Sequence, residues 1–410
     1  MPGPLSHIRV LDLSRVLAGP WAGQVLSDLG ANVIKVERPG TGDDTRSWGP
    51  PFLRNRDGSE PQEAAYFVAV NRGKRSITAD LGTPRGQRIV RALAMRSDVL
   101  LENYKVGALS KFGLAYEDLK EIKPDIIYCS ITGFGQTGPK RDNAAYDFMI
   151  QATGGLMSVT GERDDCIGGG PQKVGVPIVD IMTGMYATVA VLAALVRRQE
   201  TGRGERIDIS MLDVMVASLT NQAMNYLTTG KVPKRTGNRH PNIQPQDVYG
   251  TRNGDIALAV GNDAQFAKFC QVIGREELAI DERFAANAAR VRNLDVLSPI
   301  IGEILTQRDT RTWVELFDAA GIPCGPINTI ADVFNDPQVQ HRRMRIEIDH
   351  PSVGSVPMVA CPIHFTEASL SYHRAPPLLG QHNREILGEL GIEDDKIVAE
   401  SRGLNPSAKA

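Results

Sequence analysis

Apolar and polar positions along the first 130 residues alternate between two periods. Residues 8–13 (IRVLDL) form a short apolar run rich in β-formers. Trp21, Ala22, Val25, Leu26 and Leu29 then recur at helical spacing and Gly30 supplies a stop. Residues 31–37 (ANVIKVE) read as a second strand. Thr83 and Pro84 give an N-cap and first-turn signal, and Ile89, Val90, Leu93 and Ala94 form the face of the helix that follows. Residues 98–103 (DVLLEN) and 125–132 (DIIYCSIT) are two more strands. Strand–helix–strand repetition of this kind predicts an α/β fold, a parallel sheet covered by helices.

Further on, Asp180 is predicted to open a long helix in which Met182, Met185, Val189, Leu192 and Val196 make one apolar stripe, ending near Thr201-Gly202. A strand from Arg206 and a helix from Met211 follow. Past residue 227 the character changes. Residues 228–246 are polar, basic and rich in Gly and Pro, as a linker or active-site loop would be. Asn253-Gly254 between apolar runs signals a hairpin, and Phe266, Phe269, Cys270 and Ile273 share a helical face. The expected layout is a large domain over 1–226, a small domain over 227–325, and a segment 326–410 that returns to the large domain.

Charge and cysteine usage narrow the function classes. A net charge of −2 among 410 residues gives no global field for nucleic acid or an anionic membrane, so any anion site must be local. The five cysteines are widely spaced and contain no CxxC pair, which fits reduced intracellular thiols and not a disulfide or zinc framework. The start, MPGPLSHIRV, lacks a basic region followed by an apolar run, and no uninterrupted apolar stretch approaches the ~20 residues of a membrane span. A cytoplasmic protein without a membrane segment is expected. The histidines show no metal-ligand spacing, and no metal site is expected.

Three features carry candidate chemistry. Gly133 to Gly138 (GFGQTG) matches GxGxxG directly after a strand, but Pro139-Lys140-Arg141 continues the loop where a dinucleotide fingerprint needs a helix. Asp180 can act as a helix N-cap. It also leaves an apolar stretch (VGVPIVD) at a helix start, which partly strips its carboxylate of water while the dipole keeps it ionised for attack on an activated carbonyl. The two roles are compatible. The cations Arg38, Lys74, Arg75 and Lys111 lie at predicted strand ends, where parallel sheets gather ligands, and together suit a multiply phosphorylated ligand.

Nine pieces in order give the chain a resemblance to the family III CoA-transferases. They are LSRVLAGP (13–20), GANVIKVERPGTGD (30–43), NRGKRSI (71–77), ENYKVGAL (102–109), AYDFMIQATGGLMSVTG (145–161), VDIMTGMYA (179–187), TGRGERIDIS (201–210), GIPCGPI (321–327) and PPLLGQH (376–382). The resemblance runs from about residue 5 to about residue 400. It implies a Rossmann-like large domain from both chain ends, a small inserted α+β domain, and a homodimer of interlocked chains. It places the nucleophilic aspartate at Asp180. CoA contacts fall on Leu17, Ala18, Arg38, Asn71, Arg72, Gly73, Lys74, Asn103, Tyr104, Lys111, Ala144, Ala145, Tyr146 and Asp147. Lys111 stands where formyl-CoA transferase has arginine, which keeps the charge but not the two-nitrogen fork.

The same fold hosts α-methylacyl-CoA racemases, which carry a catalytic histidine at the position of Tyr146; a phenol titrating near ~10 replaces it poorly. The glycine-run loop of formyl-CoA transferase is replaced by residues 235–246 (RTGNRHPNIQPQ), and the stretches 43–52 and 129–139 resemble succinyl-CoA–glutarate CoA-transferases. The resemblance thus implies exchange of CoA between an acyl-CoA, succinyl-CoA by preference, and a small dicarboxylic acid through an aspartyl anhydride and an aspartyl-CoA thioester. CoA is then a substrate, and no permanently bound cofactor is expected. Arg46 and His240, in the Arg239-His240 loop, are candidates for the distal carboxylate of the acid. Rival classes are a racemase, a NAD-dependent dehydrogenase using the glycine loop, and a CoA-binding regulator without turnover.

Overall fold

The computed structural model describes residues 3–392 except Gly58, residues 60–62 and Ser371. The part of the expected C-terminal segment beyond residue 392 lies outside the described residues. The chain divides into two compact units: one takes residues through Gly155, Gly175–Thr220 and the chain from Gln340 onward, the other Leu156–Val174 and Asn221–Val339. The segment 156–174, which the sequence pattern left with the large domain, thus packs with the smaller unit.

In the larger unit, strands β1 (Arg9–Asp12), β2 (Asn32–Glu37), β3 (Arg75–Thr78), β4 (Val99–Glu102), β5 (Ile127–Thr132) and β6 (Glu205–Ser210) form one sheet in the order β3-β2-β1-β4-β5-β6. Every neighbouring pair is parallel. Strands covered on both faces need apolar residues in succession, not alternation. Val99, Leu100 and Leu101 supply such a run. Helices α1 (Ala18–Asp28), α2 (Pro84–Met95), α3 (Asp147–Thr153) and α4 (Ile178–Thr201) accompany the sheet. Ala22 and Leu26 of α1 and Ala187, Val191 and Leu195 of α4 join Val10, Val33, Leu101 and Ile127 in one core layer. Ile89, Val90 and Leu93 of α2 join Leu11, Ile34, Val36 and Leu100 in another. As the pattern predicts, the Thr83 hydroxyl caps α2 by accepting the Gly86 N–H at 3.1 Å, with Pro84 opening the first turn.

The long helix α4 departs from expectation in two ways. It begins at Ile178, with Pro177 as N-cap, so Asp180 is its third residue and not its cap. Its buried face is Thr183, Gly184, Ala187, Thr188 and Val191, whereas Val189 and Val196 of the expected apolar stripe are 59% and 62% exposed. The cause is close packing on α1: a Cβ at Gly184 would lie 2.6 Å from the Ala18 carbonyl oxygen, so only glycine permits the approach. At 24 residues and a mean hydropathy of 1.9 in its most apolar stretch, α4 passes the length and composition test for a membrane span. Its packing on α1, β5 and β6 is that of a core helix.

The smaller unit has a three-stranded antiparallel sheet of β7 (Gln246–Gly250), β8 (Asp255–Ala259) and β9 (Cys324–Pro326). The expected Asn253-Gly254 hairpin joins β7 to β8, with the Thr251 N–H donating to the Gly254 carbonyl at 2.8 Å. Helices α5 (Asp263–Val272), α6 (Leu294–Leu305) and α7 (Thr310–Ala319) close its core, where Phe269 and Trp313 both stack on Phe317. On return to the larger unit, β10 (Arg345–His350) and β11 (Gly354–Val359) pair antiparallel, and α8 (Asn383–Leu390) sends Ile386 and Leu387 into the core layer of α2.

Candidate functional site

In a parallel sheet of order 3-2-1-4-5-6 the strand direction of winding reverses between β1 and β4, and ligands bind outside the carboxyl ends of the strands at that point. A cleft of about 220 Å³ lies there. It is lined by Arg15, Leu17 and Ala18 after β1, Asn103 and Tyr104 after β4, Gly133 after β5, the loop Arg141 to Tyr146, and Asp180. Eight of the positions singled out in the sequence therefore meet in one hollow: Leu17, Ala18, Asn103, Tyr104, Ala144, Ala145, Tyr146 and Asp180. A second cleft of about 490 Å³ contains Arg38 and Phe112 and shares Arg15, Asp44, Tyr104 and Lys105 with the first, so the two adjoin. The exposed Lys111 lies beside it, its ammonium 5.0 Å from the centre of the Phe112 ring.

Several contacts hold the loop after β1. Ser14 N–H donates to Asp12, Arg15 N–H to Asn103 Oδ1 at 2.8 Å, Asn103 Nδ2 back to the Arg15 carbonyl at 2.7 Å, and Val16 N–H to Asp43. Together they hold Val16 at φ 70°, a left-handed conformation costly for a β-branched residue. The result brings the N-terminal turn of α1 into the cleft, where Ala18 and Asp180 line the same hollow and the Ala18 main chain favours the ionised Asp180 carboxyl. The loop after β5 owes its path to Gly133, since a Cβ there would sit 2.2 Å from the Ala145 Cβ. No helix starts at Gly133 to Gly138; the next begins at Asp147, so the glycine motif is a loop wall and not a dinucleotide turn.

Asp180 is mostly buried, and its carboxyl is pushed up to about 7, first by loss of water, then by the charge of Asp147, against a smaller opposing effect of the Ala18 main chain. The sequence argument expected the helix dipole to hold it ionised. The difference lies first in burial and then in Asp147, whose Oδ1 accepts the N–H of Val179 at 2.8 Å and of Asp180 at 3.3 Å while Oδ2 accepts from Gln151. Pro177 cannot cap with its side chain, so Asp147 caps α4 and puts a like charge beside Asp180. Asp147 is thus occupied as a cap. Replacing Asp147 by Asn keeps an acceptor and removes the charge. The expected outcome is an acid limb of the kcat/KM–pH profile shifted to lower pH, because Asp180 then ionises more readily. An unmoved limb would mean that the Asp147 charge does not set it.

The remaining positions are placed differently. Lys74 is wholly buried, its ammonium donating to Asp12 Oδ2 at 2.9 Å, the Pro20 carbonyl at 2.8 Å and Asn71 Oδ1 at 2.9 Å. All three of its protons are used. Asn71 also donates to the Phe67 carbonyl, and Arg72 grips Asp28 through Nε and Nη2. The Gly73 N–H donates to the Arg374 carbonyl. The 71–74 loop therefore braces α1, and the Lys74 side chain is engaged wholly inside the protein. Arg75 is bound by Glu385 and Glu389.

Arg46 is likewise engaged inside the protein. It is 6% exposed, Nε and Nη2 meet Glu37, Nη1 meets both oxygens of Glu63, and Nη2 also reaches the Pro377 carbonyl. No donor is left for a substrate carboxylate. Burial first, then the neighbouring Glu37 charge, pushes Glu63 up to about 7 despite Arg46. His240 belongs to the smaller unit, where it lines a hollow of about 530 Å³ with Arg235 and Arg239, and its Nδ1 accepts the N–H groups of Asn242 and Ile243. Sequence reasoning passed over Arg15, which lies immediately after β1 inside LSRVLAGP; its strand-end position was the available signal.

Together, a six-stranded parallel sheet, its switch-point cleft and a sheltered carboxylate define an α/β protein with a ligand site at the carboxyl ends of its strands. Comparison narrows that class. The profile of CoA-transferase family III matches residues 5–383, and the chain belongs to that family. The chain is 49% identical to the succinate–glutarate CoA-transferase of Agrobacterium fabrum, over 94% of this chain and 96% of that protein. It is 43% identical to the human succinyl-CoA:glutarate CoA-transferase, over 97% of this chain and 88% of the human protein. Among solved structures, a CAIB/BAIF family protein from Brucella suis superposes with a TM-score of 0.83 at 49% identity, covering 95% of this chain and 100% of that one.

Proposed function

We propose that this CoA-transferase exchanges CoA between succinyl-CoA and a dicarboxylic acid of the size of glutarate, with Asp180 as the nucleophile. The observation that carries the reading is the Asp180 carboxylate, sheltered from water and opening, beside Ala18, into the cleft at the sheet's switch point. The substrate choice is supported by the relatives at 43% and 49% identity, whose names specify succinate or succinyl-CoA and glutarate.

CoA would lie along the adjoining clefts. Its phosphates would meet Arg38, Lys105 and Lys111, its pantetheine arm would pass Tyr104 and Ala145, and its thioester would end at Asp180. The Asp180 carboxylate attacks the thioester carbonyl, the C–S bond breaks, and an acyl–aspartyl anhydride and CoA thiolate result. The thiolate attacks the aspartyl carbonyl, releasing succinate and leaving an aspartyl-CoA thioester. The acceptor carboxylate then attacks that thioester to give a second anhydride and the thiolate again. Thiolate attack on the acceptor's acyl carbonyl yields the new acyl-CoA and restores Asp180. Both intermediates are open to hydrolysis, so a water-poor cleft serves the chemistry.

A homodimer is part of the proposal, supported by the uncovered apolar face of α4 with Tyr186, Val189 and Val196 exposed. The cysteines, free among the described residues, suit a cytoplasmic location. The test incubates enzyme with succinyl-CoA and a panel of mono- and dicarboxylates, with mass spectrometry of the CoA esters and of the quenched protein. The expected result is CoA transfer to glutarate-sized diacids and an adduct of CoA less water on the peptide containing residue 180. Exchange without any such adduct would remove Asp180 from the chemistry.

A further inference from the structure

With Arg46 engaged elsewhere, the Asp180 cleft contains three cationic side chains, Arg15, Lys105 and Arg141. Arg141 is carried by the exposed loop before α3 and pairs loosely with its neighbour Asp142 at 3.4 Å. Lys105 brings a point charge without a planar fork. Arg15 differs from both. Its backbone is clamped on both sides by the Asn103 amide, and the strained Val16 fixes the direction in which the loop leaves β1. The root of the side chain is therefore preset before any ligand arrives.

The guanidinium of Arg15 is half-exposed and meets Asp44 through Nη1 alone, at 2.9 Å. Asp44 is itself half-exposed and lines the same cleft. An arginine pairs best with a carboxylate through two parallel N–H donors, and a one-nitrogen contact in water leaves most of that capacity unused. The Arg72 pair beside the sheet is closed by contrast: Arg72 holds Asp28 by two nitrogens, and both partners are buried. Arg15 is thus the cleft arginine that combines a fixed backbone with a partner exchangeable for a carboxylate arriving from solvent.

We infer that Arg15 reads the distal carboxylate of the dicarboxylic acyl group and of the acceptor acid, with Asp44 as its resting partner. The inference rests on the proposed exchange reaction and adds the residue that selects a diacid over a monoacid. A succinyl or glutaryl group anchored through its far carboxylate on Arg15 presents its near carbonyl to Asp180 within the one cleft. A monocarboxylic acyl group of equal length leaves Arg15 with Asp44 and gains nothing. The same arginine also borders the larger cleft, where a phosphate of CoA offers related anionic oxygens, so the experiment must separate the two anions.

The experiment compares wild type, Arg15→Met, Arg15→Lys and Asp44→Asn with succinyl-CoA or butyryl-CoA as donor, and with free CoA as inhibitor. The expected result for Arg15→Met is a loss of about 10²-fold in kcat/KM for succinyl-CoA and a raised KM for glutarate. With butyryl-CoA as donor and a monocarboxylic acid as acceptor the loss is at least about tenfold smaller, inhibition by free CoA is retained, and Arg15→Lys recovers part of the loss. Equal losses with both donors together with weaker inhibition by CoA would make Arg15 a phosphate contact and overturn the inference, as would unchanged discrimination. Should Arg15→Met not fold, Asp44→Asn decides: freed of its resting partner, Arg15 should lower the KM for succinyl-CoA, and an unchanged or higher KM rejects the idea. Wild type that moves no CoA between acids would sink the proposed exchange and this inference together; exchange with unaltered diacid preference in the variants sinks the inference alone.

Discussion

Asp180→Ala enzyme is expected to lose CoA exchange by about 10⁴-fold or more, while Asp180→Asn unfolds at the same or a higher temperature than wild type at pH 8. The two halves of this result have one cause. The carboxyl is pushed up to about 7 by burial and by Asp147, from 3.8 in a solvated chain. A folded state that binds a proton more tightly than the unfolded state is favoured at low pH. The penalty for holding Asp180 ionised therefore grows as pH rises from about 4 through about 7 and is complete above that. Asparagine removes it. The stability advantage of the variant should be full at pH 8 and vanish near pH 4, as read by thermal unfolding at both. The wild-type kcat/KM should fall tenfold per pH unit below about 7 as the nucleophile is protonated. Full exchange by the alanine variant would end the covalent scheme.

Lys74→Ala should act in the opposite sense: a large loss of stability, about 3–5 kcal/mol, with little change in KM for the CoA ester where the protein still folds. The ammonium is out of water with three acceptors, and its removal leaves Asp12 buried beside Lys35 without its ion-pair partner. Burial alone would raise the Asp12 carboxyl, but Lys74 and then Lys35 outweigh it and hold it below the usual carboxylate range. Breaking one side of such a pair costs far more than replacing both. The double variant Lys74→Met/Asp12→Asn should consequently be more stable than Lys74→Ala in urea titration. A raised KM with unaltered stability would return Lys74 to the ligand site.

The sheet and its helices were legible because they depend on local pattern. Val99-Leu100-Leu101 reads as a covered strand and Thr83-Pro84 as a helix start, each from a few adjacent residues. The direction of α4's buried face was not legible. Hydrophobicity favours Val189 and Val196, whereas the packing partner selects the small residues Gly184 and Ala187, a property of α1 rather than of α4. Much of the candidate site followed from strand ends and from resemblance. The inward pairing of Lys74 and Arg46 was not legible for one reason: a charged side chain after a strand looks the same in sequence whether it faces a ligand or a buried counter-ion. Their partners, Asp12 for one and Glu37 and Glu63 for the other, lie 62, 9 and 17 positions away, beyond any local signal.

Asp147 opens α3, and its oxygen serves the first amides of α4. Two helix starts are thus tied at one atom, and neither can tilt alone without stranding a main-chain donor. The Ala144–Tyr146 wall, which runs straight into Asp147, is mechanically geared to the turn that carries residue 180. A ligand that presses on that wall pushes on the nucleophile's mounting as well.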